Sequence, residues 1–273
     1  MQRRHIKWFP IVIALLIIAY QYFGSEKFVN PETGRAGRVG LSTQQESVLG
    51  LESYQKILSE SPTVSSGPEF DMVQRVMQRL VSSTGPTGKD FQWAVSVVRS
   101  NQVNAFCLPG GKMVVYTGIL PVAGGEAPLA TVLGHEMAHA TSRHGAQRVL
   151  QQNLTQTAMA GVAGSLSDMD YQQQRAIMGA IGAGAQYGVL MPFSRNHESE
   201  ADHVGLLYMA RAGYDPRESI SFWQRMEEAS RGREQPPEFL SSHPSHGTRI
   251  QQLQAWMPQA WKEYESRGDQ SNQ

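Results

Sequence analysis

The sequence predicts an α+β fold that is mainly helical, with a small β-sheet beside the helix that carries the most distinctive polar residues. Several segments place apolar residues at three- and four-residue spacing, as amphipathic helices do. Two or three short β-prone runs lie between residues 91 and 116. The 273 residues, of which 40% are hydrophobic and 18% charged, are enough to bury one substantial core.

The N-terminus is typical of a membrane-targeting segment. Arg3, Arg4 and Lys7 precede an apolar run at residues 11–20. The run is short for a spanning helix, which needs about 20 residues, yet no small-x-small cleavage site follows it. We therefore expect residues 1–23 to form an uncleaved signal anchor, with a cleaved signal peptide as the alternative. The basic flank would stay in the cytoplasm, and the rest of the chain would cross the membrane.

Residues 24–41 are rich in Gly, Pro and charge and lack apolar periodicity, which predicts a tether. The folded domain is accordingly expected at residues 42–273. Ser42 and Gln45 fit a capping box for its first helix. A second helix follows Pro68, and its apolar face is formed by Val73, Val76, Met77 and Leu80.

The β-prone runs come next, followed by further helices. Residues 91–97 alternate apolar and polar side chains, and residues 113–116 form a second run after a Gly-Gly turn. Helices are expected over residues 127–144 and 198–210. Gly213 would end the second of these helices.

The helix over residues 127–144 contains the arrangement H-E-x-x-H as His135, Glu136 and His139. Two histidines four residues apart on an α-helix face the same way and can share one metal ion. Imidazole suits zinc, and Glu136 is placed to accept a proton from a water molecule at the metal. Because the pattern also occurs by chance, a buried pair of satisfied histidines is the alternative.

A catalytic zinc ion takes three protein ligands, so a third one must come from elsewhere in the chain. Metzincins carry a histidine six residues after the second histidine, but that position here is Gly145. The nearby His144 lies about 180° around a continuous helix from His135. We therefore expect His144 to have a structural or supporting role.

Residues 196–202 offer a better third ligand. Glu198 and Asp202 share a helical face, so Glu198 could bind the metal while Asp202 orients a ligating histidine. His197 and His203 fall on other faces. The alternative is an ordinary helix N-terminus, where the helix dipole favours acidic residues.

A third polar segment, residues 242–249, holds His243, His246 and Arg249 between two helical stretches. His243 could reach the metal site and stabilise the oxyanion of a tetrahedral intermediate, or it could occupy the open zinc position in a resting state. The alternative is that His243 and Pro244 simply form a turn.

In these three segments the chain resembles the membrane-associated gluzincin peptidases, a family that includes the CaaX prenyl endopeptidases, the heat-shock protease HtpX and the Oma-type mitochondrial inner-membrane protease. The resemblance covers residues 42–258 and is strongest to the Oma-type branch and its bacterial periplasmic relatives. It extends to residues 104–112, N-A-F-C-L-P-G-G-K, before the second β-prone run. The multiple membrane helices of CaaX endopeptidases are missing, which argues against prenylated substrates.

The resemblance implies a zincin-like metalloendopeptidase that binds one Zn²⁺ per chain. The implied site comprises the zinc ligands His135, His139 and Glu198, the catalytic residues Glu136 and His243, and the supporting residues Asp202 and Arg249. The family also implies an active-site edge strand to which an extended substrate adds. That strand would be formed by Lys112, Met113, Val114, Val115 and Tyr116.

Protein or peptide substrates are expected, and the family suggests quality control of misfolded envelope proteins. The catalytic domain would lie in the periplasm, held to a bacterial inner membrane by a single pass, or free in the periplasm if the N-terminal segment is cleaved. Lys plus Arg and Asp plus Glu both total 24, so no overall basic field favours nucleic acid. We expect no nucleic-acid partner.

Two other functions remain open on the residues alone. His243 as a fourth ligand would close the zinc site and leave a metal-binding chaperone or adaptor without turnover. A membrane hairpin at residues 176–193 would make the chain an intramembrane protease. The glycines and moderate apolarity of this stretch favour a packed helix or a lid over the cleft instead.

Overall fold

A computed structural model describes residues 7–188, 193–231, 237–243 and 247–270. The chain forms two compact units. The first comprises Met1–Val29, Arg35–Ser42 and Gly145–Met191, and the second comprises Asn30–Gly34, Thr43–His144 and Pro192–Gln273. Most described residues are helical and the sheets are small, which confirms the predicted α+β class.

Helices and strands follow one another along the described residues. The first part of the chain contains α1 (Trp8–Gly24), β1 (Glu26–Val29), β2 (Ala36–Val39), α2 (Thr43–Glu60), β3 (Thr63–Val64) and α3 (Pro68–Ser83). The middle contains β4 (Ala94–Val98), β5 (Ala105–Leu108), β6 (Lys112–Tyr116), α4 (Leu120–Ala123), α5 (Glu126–Thr141) and α6 (His144–Ser165). The last part contains α7 (Tyr171–Gly188), α8 (Arg195–Arg211), α9 (Glu218–Ser230), α10 (Glu238–Ser242) and α11 (Arg249–Gln270).

In the first unit, the apolar helix α1 packs against α6. A Cβ added to Gly161 would lie 2.4 Å from the Cβ of Ala14, so the missing side chain lets the two helices touch. Lys7, just before α1, forms an ion pair of 2.8 Å with Asp168. Across the described residues, no helix combines the length and the apolarity needed to cross a bilayer.

The segment 24–41 contains regular structure that the sequence does not predict. β1 and β2 pair antiparallel, with Glu26 opposite Val39 and Val29 opposite Ala36. The segment predicted as a tether therefore contains a pair of short strands, and its role as a linker stays a prediction. Strands of four residues are too short to give a clear apolar periodicity, and their pairing is recognised only once the two strands are seen together.

The second unit contains a four-stranded sheet in the order β3-β4-β6-β5. β4 and β6 are parallel, whereas β3 and β5 pair antiparallel with their neighbours. The apolar face of α3 packs into the same core as residues of β6, α5 and α8. Its four predicted residues, Val73, Val76, Met77 and Leu80, are all buried.

β6 is an inner strand of this sheet, which corrects the prediction that Lys112, Met113, Val114, Val115 and Tyr116 form the edge beside the active site. β4 lies on one side of β6 and β5 on the other, and residues 112–115 have partners on both sides. The edge strand next to β6 is β5, and β3 forms the opposite edge of the sheet. Strand order depends on pairing between distant segments, which a local β-prone run does not encode.

α5 and α8 approach closely because glycines meet where they cross. A Cβ on Gly134 would lie 2.9 Å from the carbonyl oxygen of Gly205, and a Cβ on Gly205 would lie 2.7 Å from the backbone nitrogen of His135. A side chain at either position would push the helices apart. The crossing brings the H-E-x-x-H turn of α5 against the part of α8 that carries Glu198 and Asp202.

α5 ends at Thr141, three residues before the predicted end of this helix. Arg143 has a φ of 53°, in the left-handed region that residues other than glycine seldom adopt. Its Nε donates a hydrogen bond of 2.7 Å to Oε2 of Glu46, and both side chains are buried. The chain therefore turns at Arg143, and a separate helix begins at His144.

Candidate metal centre

Four buried side chains converge where α5, α8 and the end of α10 meet. His135, His139, Glu198 and His243 each offer one nitrogen or oxygen, and these atoms all lie within 4.8 Å of one another. The Nε2 atoms of His135 and His139 are 3.1 Å apart. Oxygens of the Glu198 carboxylate lie 3.5 Å from the first nitrogen and 3.3 Å from the second. The structure thus brings the three predicted ligands together.

The donor set fits a zinc ion. Nδ1 of His135 lies 2.9 Å from Oδ1 of Asp202, and because a carboxylate accepts hydrogen bonds, Nδ1 carries the proton and leaves Nε2 to face the cluster. Two imidazole nitrogens and one carboxylate form a ligand set of catalytic zinc sites. Buried polar atoms without partners are costly, so facing lone pairs require a cation or a proton between them.

Arg249 binds two of the three carboxylates of α8, those of Glu198 and Asp202. Its Nε donates to Oδ2 of Asp202 at 2.6 Å, and its Nη2 donates to Oε2 of Glu198 at 2.8 Å. The guanidinium carbon lies 3.8 Å from the centre of the Trp223 ring, so the cation stacks on an aromatic face. One buried guanidinium therefore orients Glu198 and Asp202 at the same time.

Charges within the cluster shift the pKa values of its members. Burial lowers the pKa of His135, but hydrogen bonds with Asp202 and Glu198 outweigh burial and raise it to about 10. Burial brings the pKa of His139 well below its usual range. Burial alone would raise the pKa of Glu198, yet its contacts with ring nitrogens of His135, His139 and His243 bring it well below that of an ordinary glutamate. Glu198 is therefore ionised, the form in which a carboxylate binds a metal ion, and a metal ion that bound Nε2 of His135 would displace a proton.

Glu136 lies beside the cluster, and within the described part of the chain one of its two oxygens is in a hydrogen bond. Oε2 accepts a hydrogen bond of 3.2 Å from the backbone N–H of Cys107 in β5. Among the described residues, Oε1 has no hydrogen-bond partner, and it lies 3.3 Å from Nε2 of His243. Burial raises the pKa of Glu136 above that of an ordinary glutamate.

His243 reaches the cluster from the end of α10. Its backbone N–H donates to the carbonyl oxygen of Phe239 at 2.8 Å, and its ring stacks on the Phe239 ring with centroids 4.8 Å apart. Nδ1 of His243 lies 3.0 Å from Oε1 of Glu198. A simple turn would not require this position of the ring. Pro244 and His246 lie outside the described residues.

Two buried residues beside the cluster have contacts that the sequence does not predict. Nδ1 of His144 lies 2.9 Å from Nδ1 of His139, and Nε2 of His144 lies 2.8 Å from Oε2 of Glu200. The helical repeat places His144 opposite His135 only if the helix continues, whereas α5 ends at Thr141. The signal available in the sequence was a third histidine five residues after the motif, together with a second glutamate two residues after Glu198.

Comparison with known proteins extends these observations. Residues 68–257, which include every predicted metal ligand, match the sequence profile of Peptidase family M48. The chain is 34% identical over 242 residues to the mitochondrial metalloendopeptidase OMA1 of Schizosaccharomyces pombe, covering 88% of this chain and 68% of that one. It is 32% identical over 264 residues to the OMA1 metalloendopeptidase of Homo sapiens, covering 91% and 49%. It is 30% identical over 223 residues to the β-barrel assembly-enhancing protease of Yersinia pestis, covering 81% and 45%.

Proposed function

The chain belongs to peptidase family M48 and is a zinc-dependent metalloendopeptidase, and from this premise we propose a role for each residue of the buried cluster. The predicted resemblance to the Oma-type branch and its bacterial relatives is thereby confirmed. His135, His139 and Glu198 would hold the zinc ion, which supplies Lewis-acid polarisation of the attacking water and of the scissile carbonyl. The observation that carries these roles is a buried convergence of three ligand groups beside a carboxylate, one oxygen of which has no hydrogen-bond partner among the described residues.

Glu136 is the proposed general base. Its Oε1 has no hydrogen-bond partner among the described residues, so this oxygen is available to accept a proton from the attacking water. The Cys107 N–H holds Oε2 and thereby orients the carboxylate. When the C–N bond breaks, the same carboxyl group would return the proton to the departing amine.

His243 is proposed to stabilise the oxyanion. Its Nε2 lies 3.3 Å from Oε1 of Glu136, so the ring borders the place where the carbonyl carbon would be attacked. One positioned donor in such a site contributes about 3 to 4 kcal/mol to the stability of the transition state. Asp202 and Arg249 would act through His135 and Glu198, which they orient, and would not touch the substrate.

The substrate is proposed to add as a strand to β5. The N–H of Cys107 points away from β6 toward Glu136, and because strand residues alternate, the backbone of Ala105 faces the same way. The next outward carbonyl, that of Val103, accepts a hydrogen bond from the N–H of Phe239. β5 therefore offers a short edge beside the general base, bounded at one end by α10.

Cleavage of an unfolded protein tests this function. The zinc-loaded chain should produce new N-termini, read by mass spectrometry, and a chelator should stop the reaction. In a cleaved peptide, N-methylation at alternate positions near the cut should lower kcat/KM by roughly 3- to 10-fold, because each methyl group removes one hydrogen-bond donor. The intervening positions, whose N–H groups point away from β5, are the matched control. Equal losses at both sets of positions would contradict strand addition.

The N-terminal helix supports a proposal about location. α1 exposes aromatic side chains at both ends, Trp8 and Phe9 at one and Tyr20 and Phe23 at the other. We propose that residues 1–23 are a signal anchor that holds the peptidase on the periplasmic face of a bacterial inner membrane, where it acts on misfolded envelope proteins. The full chain should sediment with membranes, and deletion of residues 1–23 should move active enzyme to the supernatant. Truncated enzyme that stays in the pellet would contradict the anchor.

The two alternative functions, a metal-binding chaperone or adaptor and an intramembrane protease, have different outcomes. A chaperone or adaptor without turnover is not favoured, because the matched relatives are metalloendopeptidases or proteases by name. The intramembrane protease depends on residues 176–193, and residues 189–192 lie outside the described part of the chain. That alternative stays an untested prediction.

A further inference from the structure

The outer hydrogen-bond partner of His139 differs in kind from that of His135. Nδ1 of His139 lies 2.9 Å from Nδ1 of His144, and Nε2 of His144 lies 2.8 Å from Oε2 of Glu200. All of these side chains are buried. Nδ1 of His135 faces the carboxylate of Asp202 directly, whereas Nδ1 of His139 is linked to the carboxylate of Glu200 only through the ring of His144.

Glu200 fixes the protons in this series of contacts. An ionised carboxylate only accepts hydrogen bonds, and Glu200 also accepts one from the Thr33 hydroxyl at 2.5 Å. Nε2 of His144 therefore carries a proton, which leaves Nδ1 of the neutral ring as an acceptor. The partner of that acceptor is Nδ1 of His139, so His139 carries its proton on Nδ1 and presents the lone pair of Nε2 to the cluster.

We propose that His144 and Glu200 are positioning residues that hold His139 in the tautomer that binds zinc. The inference rests on the proposed role of His139 as a zinc ligand. Without an acceptor at Nδ1, His139 could carry its proton on Nε2, and that tautomer has no lone pair directed at the metal. Neither His144 nor Glu200 touches the substrate.

The turn after α5 explains why His144 reaches His139. His144 follows Arg143, the only described residue other than glycine with a positive φ, and the guanidinium of Arg143 is bound to Glu46 at 2.7 Å. This buried ion pair holds the left-handed conformation that turns the chain back. The two rings then meet with centroids 4.8 Å apart, nearly perpendicular at 77°. A continued helix would have separated them.

The test compares His144→Leu with His144→Asn in the full-length protein. Leucine fills space but accepts no hydrogen bond, whereas asparagine places an amide oxygen near the position of Nδ1. The zinc Kd, measured by competition with a chelator, should rise about 10- to 100-fold for H144L and stay within about 3-fold of the wild type for H144N. His203→Leu, at an α8 histidine that stacks on Trp256 outside the cluster, is the matched control and should leave the Kd unchanged.

Long-range ¹H–¹⁵N NMR spectra of the zinc-free wild type give a readout that requires no variant to fold. His139 should carry its proton on Nδ1 and His144 on Nε2. The opposite tautomers would overturn the proposal. A zinc Kd for H144L equal to that of the wild type would also overturn it. So would an equal rise in the zinc Kd for H144L and H144N, because it would show that His144 contributes only by packing. If the wild-type chain binds zinc but cleaves no peptide, the proposed function fails, while the tautomers and the Kd values still decide this inference.

Discussion

Replacing Glu136 by glutamine is expected to lower kcat for peptide cleavage by about 10²- to 10⁴-fold while the protein still binds zinc. Glutamine has the same shape, and its amide oxygen still accepts the hydrogen bond that the Cys107 N–H donates at 3.2 Å. The variant loses the ability to take a proton at the position of Oε1, which has no hydrogen-bond partner among the described residues. A quenched fluorescent peptide gives kcat, and atomic absorption gives the zinc content of the same sample.

Glu126→Gln is a matched control on the same helix. Glu126 lies in the first turn of α5, where it pairs with Arg75 at 2.9 Å, so its loss should leave kcat unchanged. His243→Ala in the same assay should lower kcat by about 10²-fold with zinc retained, because one oxyanion donor is lost. Wild-type cleavage by zinc-loaded E136Q would refute the role of Glu136, and an unchanged or higher kcat for H243A would indicate that His243 instead occupies the open zinc position at rest.

Local spacing predicts the parts of the site that lie on single helices. His135 and His139, like Glu198 and Asp202, are four residues apart, and this spacing fixes a shared face without any knowledge of the rest of the fold. The contact between α5 and α8 cannot be predicted from local spacing. It depends on glycines of α5 and α8 whose missing side chains let the backbones touch, and two glycines far apart in sequence carry no sign that they will meet.

The features that the sequence did not predict depend on long-range contacts. The chain turns at Arg143, whose guanidinium is bound to Glu46, 97 residues earlier in the chain. The contact between His144 and His139 depends on this turn and therefore could not be derived from the helical repeat. The position of β6 inside the sheet depends in the same way on pairing with β4 and β5. Pairings of this kind decide which strand borders the site, although the β-prone run itself was located correctly.

Replacing Glu198 by glutamine is expected to weaken zinc binding by more than the roughly 10- to 100-fold that loss of an outer hydrogen bond costs, and to abolish cleavage with it. The carboxylate is the one anion of the proposed ligand set, and it lies within 3.5 Å of Nε2 of His135 and Nε2 of His139. The amide that replaces it is a neutral and weaker ligand. Zinc titration against a chelator measures the affinity, and kcat/KM at saturating zinc measures what activity remains.

The same substitution should destabilise the metal-free protein, because it removes one of the two carboxylates bound to the buried guanidinium of Arg249. Breaking a buried ion pair from one side costs about 3 to 5 kcal/mol, less whatever the amide oxygen recovers by accepting the Nη2 hydrogen bond. Urea unfolding in the presence of a chelator separates this term from the loss of zinc. Ser199→Ala is the control on the same helix as Glu198. It removes only a hydroxyl that donates to Gln252 in α11, so it should change neither the zinc affinity nor the free energy of unfolding appreciably. If E198Q bound zinc as tightly as the wild type, Glu198 would not be a zinc ligand, and only His135 and His139 would remain in the proposed ligand set.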